Sequence, residues 1–258
     1  MNFGNIVGRR NIRLNIVNVR AEILHHEFMG CTMKTLMISF EGEKRRILST
    51  LDGYRRVMYV ANVYVPGELS DFSMKEYPKF KFGLLRSLGI NARSISFIST
   101  GADMDNVAFC ERFYQEFGVC CFATAGTGNA LRSGVDKANY VERNGKFEYV
   151  PGTINIIILS NARLTGGAMA RAVITATEAK TAVLQDLDVR SSISCELQAT
   201  GTGTDNIIIV SGKEEGPPVT WTGGHTKMGE LIGICTRMAV LGALEKQEKR
   251  VLKKSAGA

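Results

Sequence analysis

Apolar and polar residues alternate through much of the first 65 positions, the period of a half-buried strand. The pattern runs through Leu14, Ile16 and Val19, then Leu36 to Phe40 (LMISF) and Val57 to Val65 (VMYVANVYV). Gly30, Gly42 and Gly53 mark turns, and Pro66-Gly67 closes the section. This predicts antiparallel β structure. Beyond it, strands alternate with helices. Tyr77 to Leu88 predicts a helix stopped by Gly89, and Ser94 to Thr100 a strand. Asp105 to Phe117 is read as a helix capped by Asp103 and stopped at Gly118. Val119 to Ala123 is a strand leading into the glycine-rich stretch Thr124 to Ala130. A hairpin is expected over residues 140–159, turning at Asn144-Gly145, with Ile154 to Leu159 apolar enough for the middle of a sheet. Gly167 to Leu187 and Lys227 to Lys249 predict long helices, and Asn206 to Val210 a buried strand. The expected fold is α/β: a mixed β-sheet with helices packed on it, antiparallel strands first and alternating strands and helices after.

Composition narrows this picture. With 258 residues, 45% hydrophobic, five prolines and no linker-like run, the chain predicts one domain with a proper core. The net charge of +7 suggests nucleic acid until its distribution is read. Residues 245–254 (EKQEKRVLKK) hold five cations against two glutamates and so supply +3 of it. The other basic pairs, Arg45-Arg46 and Arg55-Arg56, lack interleaved aromatics, so no nucleic-acid partner is expected. Six cysteines show no Cys-x-x-Cys spacing, and adjacent Cys120 and Cys121 should point to opposite faces of a strand. Arg9, Arg10 and Arg13 interrupt any secretory stretch, and no run of 18 apolar residues exists. A cytoplasmic protein with reduced thiols and no membrane span is expected; self-association stays open.

Familiar hydrolase chemistry is missing. There is no Gly-x-Ser-x-Gly elbow, and His26-Glu27-Phe28-Met29-Gly30 lacks the second histidine of a zinc helix. With only His25, His26 and His225 in the chain, no metal centre and no cofactor are expected. Gly126-Thr127-Gly128 and Gly201-Thr202-Gly203 read either as turns needing positive φ or as places where a ligand approaches the backbone. On the Gly167–Leu187 helix, Arg171, Thr175, Glu178 and Gln185 form a polar stripe with Thr181 beside it. Val173, Ile174, Val183, Leu184 and Leu187 are expected to make its apolar contact. The stripe is threonine-rich rather than Lys/Glu-rich, unlike an ordinary solvated face.

Four ordered motifs carry a resemblance. They are GTINIII at 152–158, GGAMARAVITATEAKT at 166–181, LDVRS at 187–191 and ATGTGTDN at 199–206. With ATAGTGNA at 123–130 and GGHTKMGELIG at 223–233, they resemble the adenosylcobinamide amidohydrolase family over roughly residues 94–245, and more loosely before that. The resemblance implies a small-molecule corrinoid substrate and hydrolysis of the amide joining its aminopropanol arm, giving adenosylcobyric acid for cobalamin salvage. The alternative is a protein that binds a corrinoid or adenosyl ligand without turnover.

Amide hydrolysis needs a base, oxyanion donors and an acid for the leaving amine. Glu178, Asp205 and His225 are the candidate catalytic residues, with Glu178 favoured as base. Thr124, Asn129, Arg171, Thr175, Lys180, Thr202 and Thr204 are the candidate substrate-binding residues, and Thr124 or Thr202 could instead act as nucleophile. The basic tail lies outside the motifs and is expected to be dispensable for chemistry.

Overall fold

The computed structural model describes residues 3–138, 141 and 152–255. Six strands open the chain: β1 (Ile6–Ile12), β2 (Val19–Phe28), β3 (Cys31–Phe40), β4 (Arg45–Ser49), β5 (Gly53–Val57) and β6 (Tyr59–Tyr64). The β2–β3 turn is two residues long, with positive φ at Met29 and Gly30, which suits the strands' own twist. Helices α1 (Gly67–Lys75) and α2 (Tyr77–Ser87) follow. Gly89, at φ 68°, ends α2 where the sequence predicts.

Next come β7 (Ile95–Thr100), β8 (Ala108–Tyr114), β9 (Phe117–Gly126), β10 (Ala130–Leu131), β11 (Thr153–Ser160), β12 (Arg163–Leu164) and α3 (Gly166–Asp186). The chain continues through β13 (Gly201–Thr202), β14 (Asn206–Val210), β15 (Pro218–Val219) and α4 (Lys227–Ser255). One sheet has the order β1-β2-β3-β6-β7 and a second the order β5-β4-β14-β11-β9-β8. Neighbours are antiparallel except the parallel pairs β6–β7 and β11–β14.

The two sheets stack face to face, and each is covered on its outer side by helices. Ile23, Leu36 and Ile38 meet Phe122, Ile157 and Ile208 between the sheets. Leu24, Met37 and Phe97 lie under α1 and α2 with Phe80 and Leu84. Ile154, Ile156 and Ile209 lie under α3 and α4. A strand buried on both faces must be apolar at every position, which accounts for the unbroken run from Ile154 to Leu159. Cys121 faces the helices and Cys120 the other sheet, as strand geometry requires. Burial pushes the Cys121 thiol up to about 12, with Cys120 and Cys235 higher still, so these thiols are inert at neutral pH.

The fold is the expected mixed α/β architecture with antiparallel N-terminal strands. Several elements differ. Residues 105–117 are not a helix: Asp103 caps only a short 3-10 turn at Met104–Asn106, and β8 and β9 form a hairpin through Gln115 at φ 51°. The alternating burial of Ala108, Phe109 and Cys110 carries the strand period. Leu14 and Ile16 lie in the loop between β1 and β2, and Val57 to Val65 divides between β5 and β6. The Asn144-Gly145 turn lies outside the described residues. On α3, the sheet contact is made by Ala168, Met169, Ala172, Ala176, Val183 and Leu184, while Ile174 and Leu187 face outward. Alanines bring the helix axis close to the sheet, and that close approach shapes the site.

Candidate functional site

The glycine-rich loops converge beneath α3. Strands β10 and β13 pair antiparallel, Ala130 opposite Thr202, which brings the 124–130 and 199–206 motifs together. The start of β11 joins them: Thr153 Oγ1 donates to the Thr204 carbonyl at 2.6 Å, and Thr204 Oγ1 donates to the Gly152 carbonyl. Gly152 sits at φ 127°, where an added Cβ would come within 2.3 Å of Asn129 Oδ1. Only glycine allows that approach.

Asp205 is the hub. Lys180 Nζ donates to its Oδ2, and Thr202 Oγ1 donates to its Oδ1 at 2.5 Å. The backbone N–H groups of Ile154 and Thr202 donate to the same carboxylate at 2.9 and 3.1 Å. The Lys180 side chain is 7% exposed and that of Asp205 16%. An ion pair this sheltered holds its geometry, because breaking it would strand a charge in a dry site. Gly201 is fixed by the pair: a Cβ there would stand 2.6 Å from Lys180 Nζ and 2.8 Å from Asp205 Oδ2. Gly126, Gly201 and Gly203 do not take positive φ, so the turn reading of these glycines is replaced by close packing at Gly201. Asn129 reaches Thr204 Oγ1 through Nδ2 at 3.5 Å. The cluster lies just under the surface, with Gly203 exposed at its tip.

A buried polar chain extends from this cluster into the space between the sheets. Asn155 Nδ2 donates to Asn62 Oδ1 at 3.0 Å and to the Ser99 carbonyl at 2.8 Å, and Asn62 Nδ2 donates to Thr124 Oγ1 at 2.8 Å. Thr124 is fully buried there, its hydroxyl oxygen accepting from Asn62 in the sheet-to-sheet contact. Asn62, Thr153 and Asn155 were not among the sequence candidates. An asparagine inside each of two apolar runs, VANVY and TINIII, was the available signal.

A second group forms at the first turns of α3 and α4, which run in the same direction. Arg171 lies 3.6 Å over the Trp221 ring, and His225 packs edge-on against it at 6.1 Å. Thr175 Oγ1 donates to the Thr222 carbonyl at 2.9 Å, and Thr222 Oγ1 to the Ala168 carbonyl at 2.7 Å. Thr175 is buried there as a structural tie, while His225 is exposed.

The structure does not bring the three catalytic candidates together. Glu178 and Lys180 are two residues apart on one helix, so their side chains diverge by about 200°. Lys180 points down to Asp205; Glu178 points away, exposed, and meets no hydrogen-bond or ion-pair partner among the described residues. Its placement takes it out of the Asp205 cluster. His225 belongs to the Trp221 group, nine residues of helix from Lys180 at Arg171 and half a turn around it.

Among the described residues no three His, Cys, Asp or Glu side chains are placed to hold a metal ion, and no helix is long and apolar enough to cross a membrane. A cavity of about 150 Å³ lined by Arg20, Glu22, Ser39, Phe40 and Glu41 contains none of the motif residues.

The model of the adenosylcobinamide amidohydrolase family matches residues 19–251 of this sequence. The chain belongs to that family. The match takes in most of the N-terminal strands as well as the motif-bearing half. An uncharacterized protein of Methanocaldococcus jannaschii is 46% identical over 227 residues, covering 84% of this chain and 88% of its own length. The adenosylcobinamide amidohydrolase of Methanosarcina mazei is 28% identical over 221 residues, covering 82% of this chain and 94% of its own. Among solved structures, the PH0078 protein of Pyrococcus horikoshii OT3 aligns with 94% of this chain and 90% of its own, at 12% identity and a TM-score of 0.49. Four of the six motif segments, 123–130, 152–158, 166–181 and 199–206, thus meet at one Lys–Asp pair.

Proposed function

We propose that the protein hydrolyses the amide between the aminopropanol arm and the corrin ring of adenosylcobinamide, releasing adenosylcobyric acid. Family membership supports the substrate class. The observation that carries the reading is the convergence of the 124–130, 152–155, 166–181 and 199–206 motifs on Asp205 and Lys180. Motifs that served only the fold would have no reason to gather their polar residues at one end of the sandwich.

Amide hydrolysis there needs an acceptor for a proton, a donor for the leaving nitrogen and a donor for the carbonyl oxygen. Asp205 and Lys180 form a proton-handling pair held ready by two backbone N–H groups. Asn129 supplies an amide donor beside Thr204, and Gly203 leaves the backbone open to a bulky substrate. Arg171 and His225, with Trp221, form a separate surface on the far flank of α3 and take no part in bond cleavage in this reading. The cell compartment follows from the substrate: a salvage enzyme working on an adenosylated corrinoid acts in the cytoplasm.

Incubation with adenosylcobinamide and assay of free aminopropanol tests the proposal; unchanged corrinoid bound tightly by folded protein would replace it with a binding role. Glu178→Gln is expected to leave kcat unchanged and stability within about 0.5 kcal/mol. A large fall in kcat in that variant, with normal folding, would return the base to α3's outer face.

A further inference from the structure

We infer that Thr202 is the nucleophile of a two-step hydrolysis, the corrinoid acyl group passing through an ester on its hydroxyl. This rests on the amidohydrolase reading above and adds to it a covalent intermediate. Thr124, Thr153, Thr202 and Thr204 lie on the polar network described above, and their hydroxyl partners separate them. Thr153 donates to the Thr204 carbonyl and Thr204 to the Gly152 carbonyl, neutral oxygens that cannot take a proton. Thr124 is sealed between the sheets against Asn62. Thr202 alone of the four donates to a carboxylate, Asp205 Oδ1, at 2.5 Å. A hydroxyl becomes a competent nucleophile when a base takes its proton as it attacks.

The surroundings complete the unit. Lys180 Nζ occupies the other oxygen of Asp205, as the third member that orients the base. The Thr202 N–H is tied to Asp205 Oδ2 at 3.1 Å, which fixes the residue's backbone, and the Thr204 N–H lies 3.4 Å from Thr202 Oγ1. A Cβ on Gly203 would stand 3.6 Å from Asn129 Nδ2, so the asparagine amide faces the exposed backbone next to the nucleophile. That is where a developing oxyanion would sit.

In the first step, Thr202 Oγ1 bonds to the amide carbon and its proton passes to Asp205. The C–N bond breaks as the leaving nitrogen takes a proton from the Asp205–Lys180 pair, and aminopropanol departs. In the second step, water adds to the ester carbon, and one of its protons returns through Asp205 to Thr202 Oγ1 as the ester C–O bond breaks. One water is consumed, the acid is released, and no oxidation state changes.

Hydroxylamine distinguishes this route from direct attack by water. In a single turnover of adenosylcobinamide with enzyme in excess, where aminopropanol release reports acylation alone, we expect hydroxylamine to divert the corrinoid product to its hydroxamate without raising the rate of that release, because acylation by Thr202 precedes the diversion. Thr202→Val should lose turnover by about 100-fold or more, and Thr202→Ser, which keeps the hydroxyl, should recover most of it. Normal aminopropanol release with no hydroxamate, release that accelerates with hydroxylamine, or wild-type turnover in Thr202→Val would each overturn the ester while leaving the amidohydrolase reading standing. No release by the unaltered protein would instead defeat that reading itself.

Discussion

Asp205→Asn is expected to cut turnover about 100-fold or more while substrate still binds. Asparagine keeps the size and one acceptor oxygen but cannot take a proton, so the change isolates the carboxylate's charge. It also leaves the Lys180 ammonium buried beside a neutral amide, which should destabilise the fold by about 3 kcal/mol. The two effects can be separated. Combining Lys180→Met with Asp205→Asn removes both charges, and an apolar replacement of a buried ion pair costs little stability. The double variant should therefore regain much of the lost stability, measured by urea unfolding, and none of the lost activity. If activity returned with stability, Asp205 would be only a brace for the 200–206 turn.

Acid should weaken the fold through His26, which lies in the sheet opposite the one that leads from Asp205. His26 lies on β2, fully buried, with Nε2 2.9 Å from Thr35 Oγ1 and no partner at Nδ1 among the described residues. Burial, and then the charge of His25, lower its pKa from 6.5 to about 4. The sign follows from which state binds the proton. Between pH 6.5 and 4 the unfolded chain protonates this histidine and the folded chain does not, so stability falls as pH falls through that window. The loss from this group should reach about 3 kcal/mol below the folded pKa. His26→Gln keeps a group able to reach Thr35 and cannot titrate. Unfolding free energies compared at roughly pH 7 and pH 4.5 should show a smaller acid loss in the variant. Equal losses in both proteins would assign the acid sensitivity to other groups.

Much of the fold was legible because its signals were local. The two-residue turn at Gly30, the Gly89 stop, the apolar run at 154–159 and the long helix from Gly166 depend on nearest neighbours and period. The 105–117 segment was misread because its apolar residues, Val107, Phe109, Cys110, Phe113 and Phe117, fit a helical spacing as well as a strand. Pairing with β9, a partner defined only by the fold, decided between them.

The site was legible in part. The motifs pointed to Lys180, Asp205, Thr202, Thr204 and Asn129, which the fold gathers into one cluster. What sequence could not supply was the side of α3 on which each residue falls. A polar stripe looks the same whether it faces water or a neighbouring loop, so the sequence favours Glu178 as base and gives Lys180 only a substrate-binding role. The close approach of an alanine-lined helix to the sheet separates them, taking Lys180 inward and leaving Glu178 outside. Thr124, a candidate by its motif, is bonded to Asn62, a residue 62 positions earlier on the opposite sheet, a contact no local pattern announces.

The most direct test of the central claim is mass spectrometry of adenosylcobinamide after incubation with the purified protein. The account predicts that the corrinoid is converted to the mass of adenosylcobyric acid, with loss of the aminopropanol arm and gain of one water across the broken bond. Recovery of intact adenosylcobinamide from folded protein, across a range of pH and time, would contradict it.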